Sequence, residues 1–202
     1  MAENQIDLLT FFNTVSSVLS DNKVKLNNAD TYNHDHGDHM VDVFNLITNA
    51  VGQKKGAPVG DQLKFAGEQL LQNPKSGSAA MYGENLLQAA KAFKGKQISA
   101  DNGIQLAQML LGAQQTTPQS SGVLGSLLSS FTAGGTSDGL DAGDFLTAGM
   151  AFFQSKQAGD TNLEAAMDAL VAATTAGQTP HRAESGKLIA STLLQLLTSS
   201  KK

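Results

Sequence analysis

Between residues 28 and 40 the chain reads NADTYNHDHGDHM. His34, His36 and His39, three of its four histidines, fall in this stretch together with Asp30, Asp35 and Asp38. With Asn28 and Asn33 the aspartates supply hard oxygen donors. Mg2+ prefers such carboxylate, carbonyl and water oxygens and often shares them with a bound phosphate. Apolar residues at helical spacing start at Met40, so a helix beginning between Gly37 and Met40 would aim unpaired N–H groups at the same place. Gly37 would also let backbone approach a phosphate oxygen closely. A magnesium–phosphate cradle is the expected chemistry. Asn28, Asp30, Asn33, Asp35 and Asp38 are all candidate oxygen donors to the metal, beside the helix start. The same residue types are common as local caps and turn formers, which explains any one of them equally well.

Two further groups fit that chemistry. Ser76, Gly77 and Ser78 stand before an apolar helix and could form a second phosphate wall. Ser78 and Ser185 each also suit N-capping. Arg182 carries a guanidinium that can fork onto phosphate oxygens, or it can pair with a neighbouring acid such as Glu184. No Ser lies in a G-x-S-x-G elbow, and no Ser/His/Asp set is recognisable.

The elements that must position these groups read as helices. Leu8, Phe12, Val15 and Leu19 form one apolar stripe, and Met40, Phe44, Ile47 and Val51 form a second. Pro58 opens a third helix with Leu63, Ala66 and Leu70 facing inward. A fourth carries Met81, Leu86, Leu87, Ala90 and Phe93. Further helices are expected near 99–113, 121–131, 141–156, 162–175 and 185–199, with Ser99, Asp141 and Thr161 as N-caps. Residues 114–138 are rich in Ser, Thr and Gly and read as loops around one short helix. No segment alternates with a period of two. The chain is therefore expected to be all-α, one domain spanning 1–202, with about eight or nine helices.

Composition removes several function classes. The formal net charge is −4, and no Lys/Arg cluster marks a nucleic-acid surface. Cysteine is absent, which excludes disulfides, thiolate metal sites and Cys nucleophiles. No apolar stretch approaches the roughly 18 residues of a membrane span. The start of the chain shows no basic segment followed by an apolar run and a small-residue cleavage site. A cytoplasmic globular protein is the expectation.

Two family patterns touch the 28–40 loop. HDHGDH (34–39) fits H-x-H-x-D-H, the zinc signature of the metallo-β-lactamase fold. That signature follows an apolar strand, whereas KLNNADTYN precedes it here, and no histidine lies between His39 and His181. A His/Asp metal-dependent hydrolase is the least favoured reading. The loop more closely resembles the aspartate loop of the nucleotide-binding L subunit of dihydroxyacetone kinases, the Dak phosphatase family, L-D-x-x-x-G-D-G-D-H-G-x-x-M. Asp35, His36, Gly37 and Met40 match its D-H-G-x-x-M. Its middle aspartate falls on Asn33 and its first on Asn28 or Asp30. KSGSAAMYGENLL resembles the family's T-S-G-x-L-Y-G run, with Ser76-Gly77 aligned to its Ser-Gly and Tyr82-Gly83 to its Tyr-Gly. HRAESGKLIASTLLQLL resembles its final Arg-Ala turn and last helix, with Arg182 at the arginine.

The resemblance covers most of the chain in order. It implies an antiparallel helical barrel of about eight helices that binds Mg2+ through Asp30, Asn33 and Asp35 and an adenine nucleotide (ATP or ADP) with His36, Gly37, His39 and Met40 at the helix start under its phosphates. In such a phosphotransferase a separate substrate-binding subunit presents the acceptor, dihydroxyacetone or another small carbonyl. The family's G-D-K-T-M-L-D motif has no counterpart in TTPQSSGVLGSLL, and two metal aspartates appear as Asn. The alternative is therefore a binding member of the same fold that has lost turnover.

Overall fold

The protein is represented by a computed structural model that describes residues 6–72, 74–112, 168–169, 171–172 and 179–199. Among these the chain is all-helical, with seven helices and no strand. They are α1 (Leu8–Asp21), α2 (Lys23–Ala29), α3 (His36–Gln53), α4 (Val59–Gln72), α5 (Gly77–Ala92), α6 (Ala100–Leu110) and α7 (Pro180–Ser199). The helices expected near 121–131, 141–156 and 162–175, the caps Asp141 and Thr161 and the loops of 114–138 lie outside the described residues or almost wholly so. No described helix is long and apolar enough to cross a membrane.

Local signals account for the helix starts. The Asp7 carboxylate accepts from Thr10 N at 2.9 Å and caps α1. Pro58 O receives the amides of Asp61 and Gln62 and so leads into α4. Ser76 Oγ accepts from Ala79 N at 3.1 Å and caps α5. Asn102 reaches back to Ser99 N at 2.9 Å at the start of α6. The last helix departs from expectation: it begins at Pro180, not near 185. Proline already has a helical φ at a first position, and Ala183 N bonds Thr179 O at 3.0 Å. Arg182 thereby moves from a loop into a helix's first turn. The sequence reading also missed α2. It has seven residues and only Leu26 buried, too little for an apolar period to show.

The expected stripes meet in one core. Phe12, Val15 and Leu19 of α1, Phe44, Ile47 and Val51 of α3, and Leu63 and Ala66 of α4 are fully buried. α3 lies centrally, against α1, α4 and α5, and α4 packs along α5. α7 rests on α1, α2 and α6. A run of rings crosses the core from Phe11 to Phe12 (4.9 Å between centroids), to Phe44 (6.2 Å) and to Tyr82 (5.1 Å, edge-on). This run ties the α1–α3 interface to the face of α5 that carries polar groups.

Two contacts depend on missing side chains. At Gly37 a Cβ would fall 2.2 Å from Lys23 O, so the backbone of α2 lies directly on the first turn of α3. At Gly67 a Cβ would fall 2.8 Å from Gly83 O, which brings α4 and α5 close together. In both cases the obstacle is backbone, which cannot swing aside, and at Gly37 it is the nearer. We expect Gly37→Ala to lower unfolding stability by about 1–3 kcal/mol, the usual cost of overpacking. Gly77→Ala, where a Cβ meets nothing within 4 Å, should cost far less. Equal urea midpoints for the two variants would show that α2 does not press on α3 this closely.

Candidate functional site

The 30–36 loop is anchored by a buried carboxylate. Asp30, 3 % exposed, follows the last residue of α2. Its Oδ1 accepts from Tyr32 N at 3.1 Å and stands 3.6 Å from His181 Nδ1 on α7. Burial pushes this carboxyl upward. The Tyr32 amide, His181 and the amides of Asp35 and His36 outweigh that and hold it below the usual range. His34 takes a left-handed backbone at φ 58° to complete the turn.

The first turn of α3 does not present the free donors the sequence led us to expect. Asn27 Oδ1 accepts from Gly37 N at 2.6 Å and from Asp38 N at 3.3 Å. His39 N bonds Asp35 O at 3.0 Å. Asp38 is itself held by Lys23 Nζ at 2.9 Å and by Asn27 Nδ2 at 2.7 Å. Lys23 and Asn27 hold its carboxyl below the usual range. Gly37 thus admits the α2 backbone at the place where a phosphate was expected.

The expected metal residues have separate engagements. Asp30 serves the loop amides and His181. Asn33 is exposed. Asp35 pairs with His39 Nδ1 at 3.2 Å. Among the described residues no three His, Asp or Glu side chains are grouped so as to hold a metal ion. These residues do not fit a joint Mg2+ cage.

A cavity of about 230 Å³ opens instead between the first turns of α3, α5 and α7. α3 contributes His36 and Met40, one turn apart. α5 contributes Ser78, Tyr82 and Asn85, which share a face at i, i+4 and i+7. α7 contributes Arg182 and Ser185. Arg182 is the only arginine in the chain. Its one polar side-chain contact among the described residues is Nη1 to Met81 Sδ at 3.7 Å, a weak acceptor. Glu184 does not pair with it. That carboxylate faces Lys25 at 2.6 Å and Lys187 at 3.7 Å.

The hydroxyls of Ser78 and Tyr82 belong to buried residues that line this cavity, and neither has a hydrogen-bond partner among the described residues. Burial pushes the Tyr82 phenol above its usual range, so it keeps its proton and can donate. Asn85 is committed: its Nδ2 donates to Leu110 O at 3.0 Å.

Two histidines fasten α7 beside the guanidinium. The rings of His36 and His181 meet at a tilt of 50° with centroids 4.5 Å apart. Ser185 Oγ donates to Arg182 O at 3.1 Å, so His36 Nε2, 3.1 Å from the same oxygen, is assigned the proton and donates to it. Burial, with His181 and Arg182 alongside, pulls His36 down to about 4, so the ring is neutral at physiological pH. His181 Nε2 meets Thr179 Oγ1 at 3.0 Å. Arg182 therefore sits on backbone held at both sides.

Of the expected nucleotide residues, His36, Met40, Ser78 and Arg182 come together in this cavity. His39 and Ser76 line a second cleft of about 350 Å³ along α3, with Lys75 and Gln69. Gly37 and Gly77 line neither. The Ser76–Ser78 wall is thus divided, since Ser76 is spent as a cap and only Ser78 reaches the cavity. Tyr82, Asn85 and Ser185 were not foreseen as site residues. The shared α5 face could have signalled the first two. Ser185 lies 149 positions from His36, beyond any local pattern. No protein-family model, curated protein or solved structure matches the chain.

The depressed His36 sets a pH dependence whose sign follows from linkage. Between pH 6.5, its ordinary value, and about 4 the unfolded chain takes up a proton that the folded ring refuses. The protein is expected to hold full stability above that window and to lose stability as pH falls through it. Urea midpoints at neutral pH and inside the window should differ clearly in the wild type and much less in His36→Gln. An unchanged difference in the variant would assign the pH response to other groups.

Proposed function

We propose that the chain is a binding member of the dihydroxyacetone kinase nucleotide-subunit type, built on that family's helical barrel. It holds the phosphate end of an adenine nucleotide in the cavity under Arg182. The observation that carries this reading is a lone guanidinium without a carboxylate partner among the described residues, lining one cavity with the hydroxyl-bearing Ser78 and Tyr82, which make no side-chain hydrogen bond among the described residues. An anion with several oxygens satisfies all three donors at once, and charge-assisted bonds to phosphate are the strong ones. Neutral His36 adds no second cation, and Met40 and Met81 offer apolar wall.

Two features support the family likeness. The left-handed residue His34 falls where the family's motif has glycine, the residue that adopts this backbone without strain. Ser78, Tyr82 and Arg182 come from the two other motifs that carried the resemblance, and all three line one cavity. The engagements of Asp30 and Asp35 favour binding over Mg2+-dependent transfer, which demands charge neutralisation around the moving phosphoryl group. Transfer to a small carbonyl, if this chain takes part in it, falls to a partner subunit together with whatever metal it recruits.

Calorimetric titration with pyrophosphate and with ADP, each with and without Mg2+, tests this. Binding is expected without the metal. Arg182→Ala should weaken it by about tenfold to a hundredfold, since a charged hydrogen bond is worth roughly 1.5–3 kcal/mol. Asp35→Ala should leave it nearly unchanged. Undiminished affinity in Arg182→Ala would sink the reading. Binding that strictly needs Mg2+ and is lost in Asp35→Ala would restore the metal-dependent kinase subunit.

A further inference from the structure

We propose that Met81 is an oxidation site whose sulfoxide takes over Arg182 and closes the cavity to anions. The effect on anions rests on the function proposed above; the oxidation and the capture of the arginine do not. Met81 Sδ is 3.7 Å from Arg182 Nη1 and lines the cavity. Its side chain is partly exposed, whereas Met40 in the same cavity is 1 % exposed and Met109 is 9 % exposed. A peroxide can therefore reach the Met81 thioether first. One oxygen of hydrogen peroxide is transferred to Sδ; sulfur loses two electrons, and the peroxide is reduced to water.

The change in chemistry is large at this position. A thioether is a weak acceptor, whereas the sulfoxide carries a polar oxygen. That oxygen is attached to the atom the guanidinium already faces, and Arg182 has no acid to compete for it among the described residues. The new bond would fill the direction from which a phosphate oxygen arrives. The sequence makes the chemistry easy to isolate. There is no cysteine to consume peroxide, and Arg182 is the only arginine. A guanidinium-specific reagent therefore reports on one residue.

The test treats the full chain with hydrogen peroxide, removes the oxidant, and follows three readouts. Peptide mass spectrometry of each methionine should show Met81 oxidised ahead of Met40 and Met109. Phenylglyoxal should then modify Arg182 several-fold more slowly. Pyrophosphate affinity should fall by roughly tenfold, the loss expected when one charged hydrogen bond is withdrawn, and methionine sulfoxide reductase should restore both. Met81→Leu should show neither response to peroxide. The proposal is overturned if Met81 resists oxidation, if its oxidation leaves phenylglyoxal reactivity unchanged, or if Met81→Leu responds like the wild type. Untreated protein that binds no pyrophosphate would defeat the anion function alone, because the arginine readout still decides whether the sulfoxide captures Arg182.

Discussion

The close approach of α2 to the start of α3 governs the arrangement of everything near the cavity. It is possible only because residue 37 lacks a side chain, and it is secured because Asn27 satisfies the amides that open α3. A helix start normally leaves its first N–H groups unpaired. Here a neighbouring helix supplies the acceptor. Once α2 is pressed onto that turn, the chain has only residues 30 to 35 in which to reverse. The turn then needs both the left-handed His34 and the buried Asp30 that gathers its amides.

The consequences reach the cavity through His36. As the first residue of α3 it is held by the turn behind it and turned towards α7. Its contact with Ser185 and its tilted ring contact with His181 fix the first turn of α7 from one side. Asp30 holds His181 from the other. The cavity's charge follows from this arrangement. Burial keeps His36 neutral, Asp30 faces His181, and Glu184 is drawn off by Lys25 and Lys187. Arg182 remains as the cation without an acid among the described residues. Each pairing elsewhere in the first turn of α7 leaves the guanidinium more available to a ligand.

The histidine- and aspartate-rich loop therefore acts mainly through structure. Its side chains cap, turn and fasten; they do not converge on one ion. Asp38 faces Lys23 and Asn27, Asp35 faces His39, and Asp30 faces the loop's own backbone. The polar cavity lies behind the loop, among the first turns of three helices. Residues suited to phosphate chemistry are therefore divided between the cavity and local capping, because helix starts attract Ser, Asp and Asn both as caps and as ligand donors.

The amino-acid sequence alone determined that the chain is helical and which faces turn inward. Apolar spacing is a local property, and Leu8 to Leu19, Met40 to Val51 and Leu63 to Leu70 all behave as their periods require. It also marked Ser78, His36, Met40 and Arg182 as chemically suited to one another, because residue type is visible without coordinates. Tertiary structure decided what each donor faces. The sequence could not reveal that Asn27 occupies the amides of Gly37 and Asp38, that Lys25 removes Glu184 from Arg182, or that Ser185 meets His36. Those pairings join residues from 10 to 159 positions apart. Whether a polar group is a cap, a tether or a free donor depends on which partner the packed helices bring within hydrogen-bond reach, and hydrophobic burial sets that packing with no regard to the polar pattern along the chain.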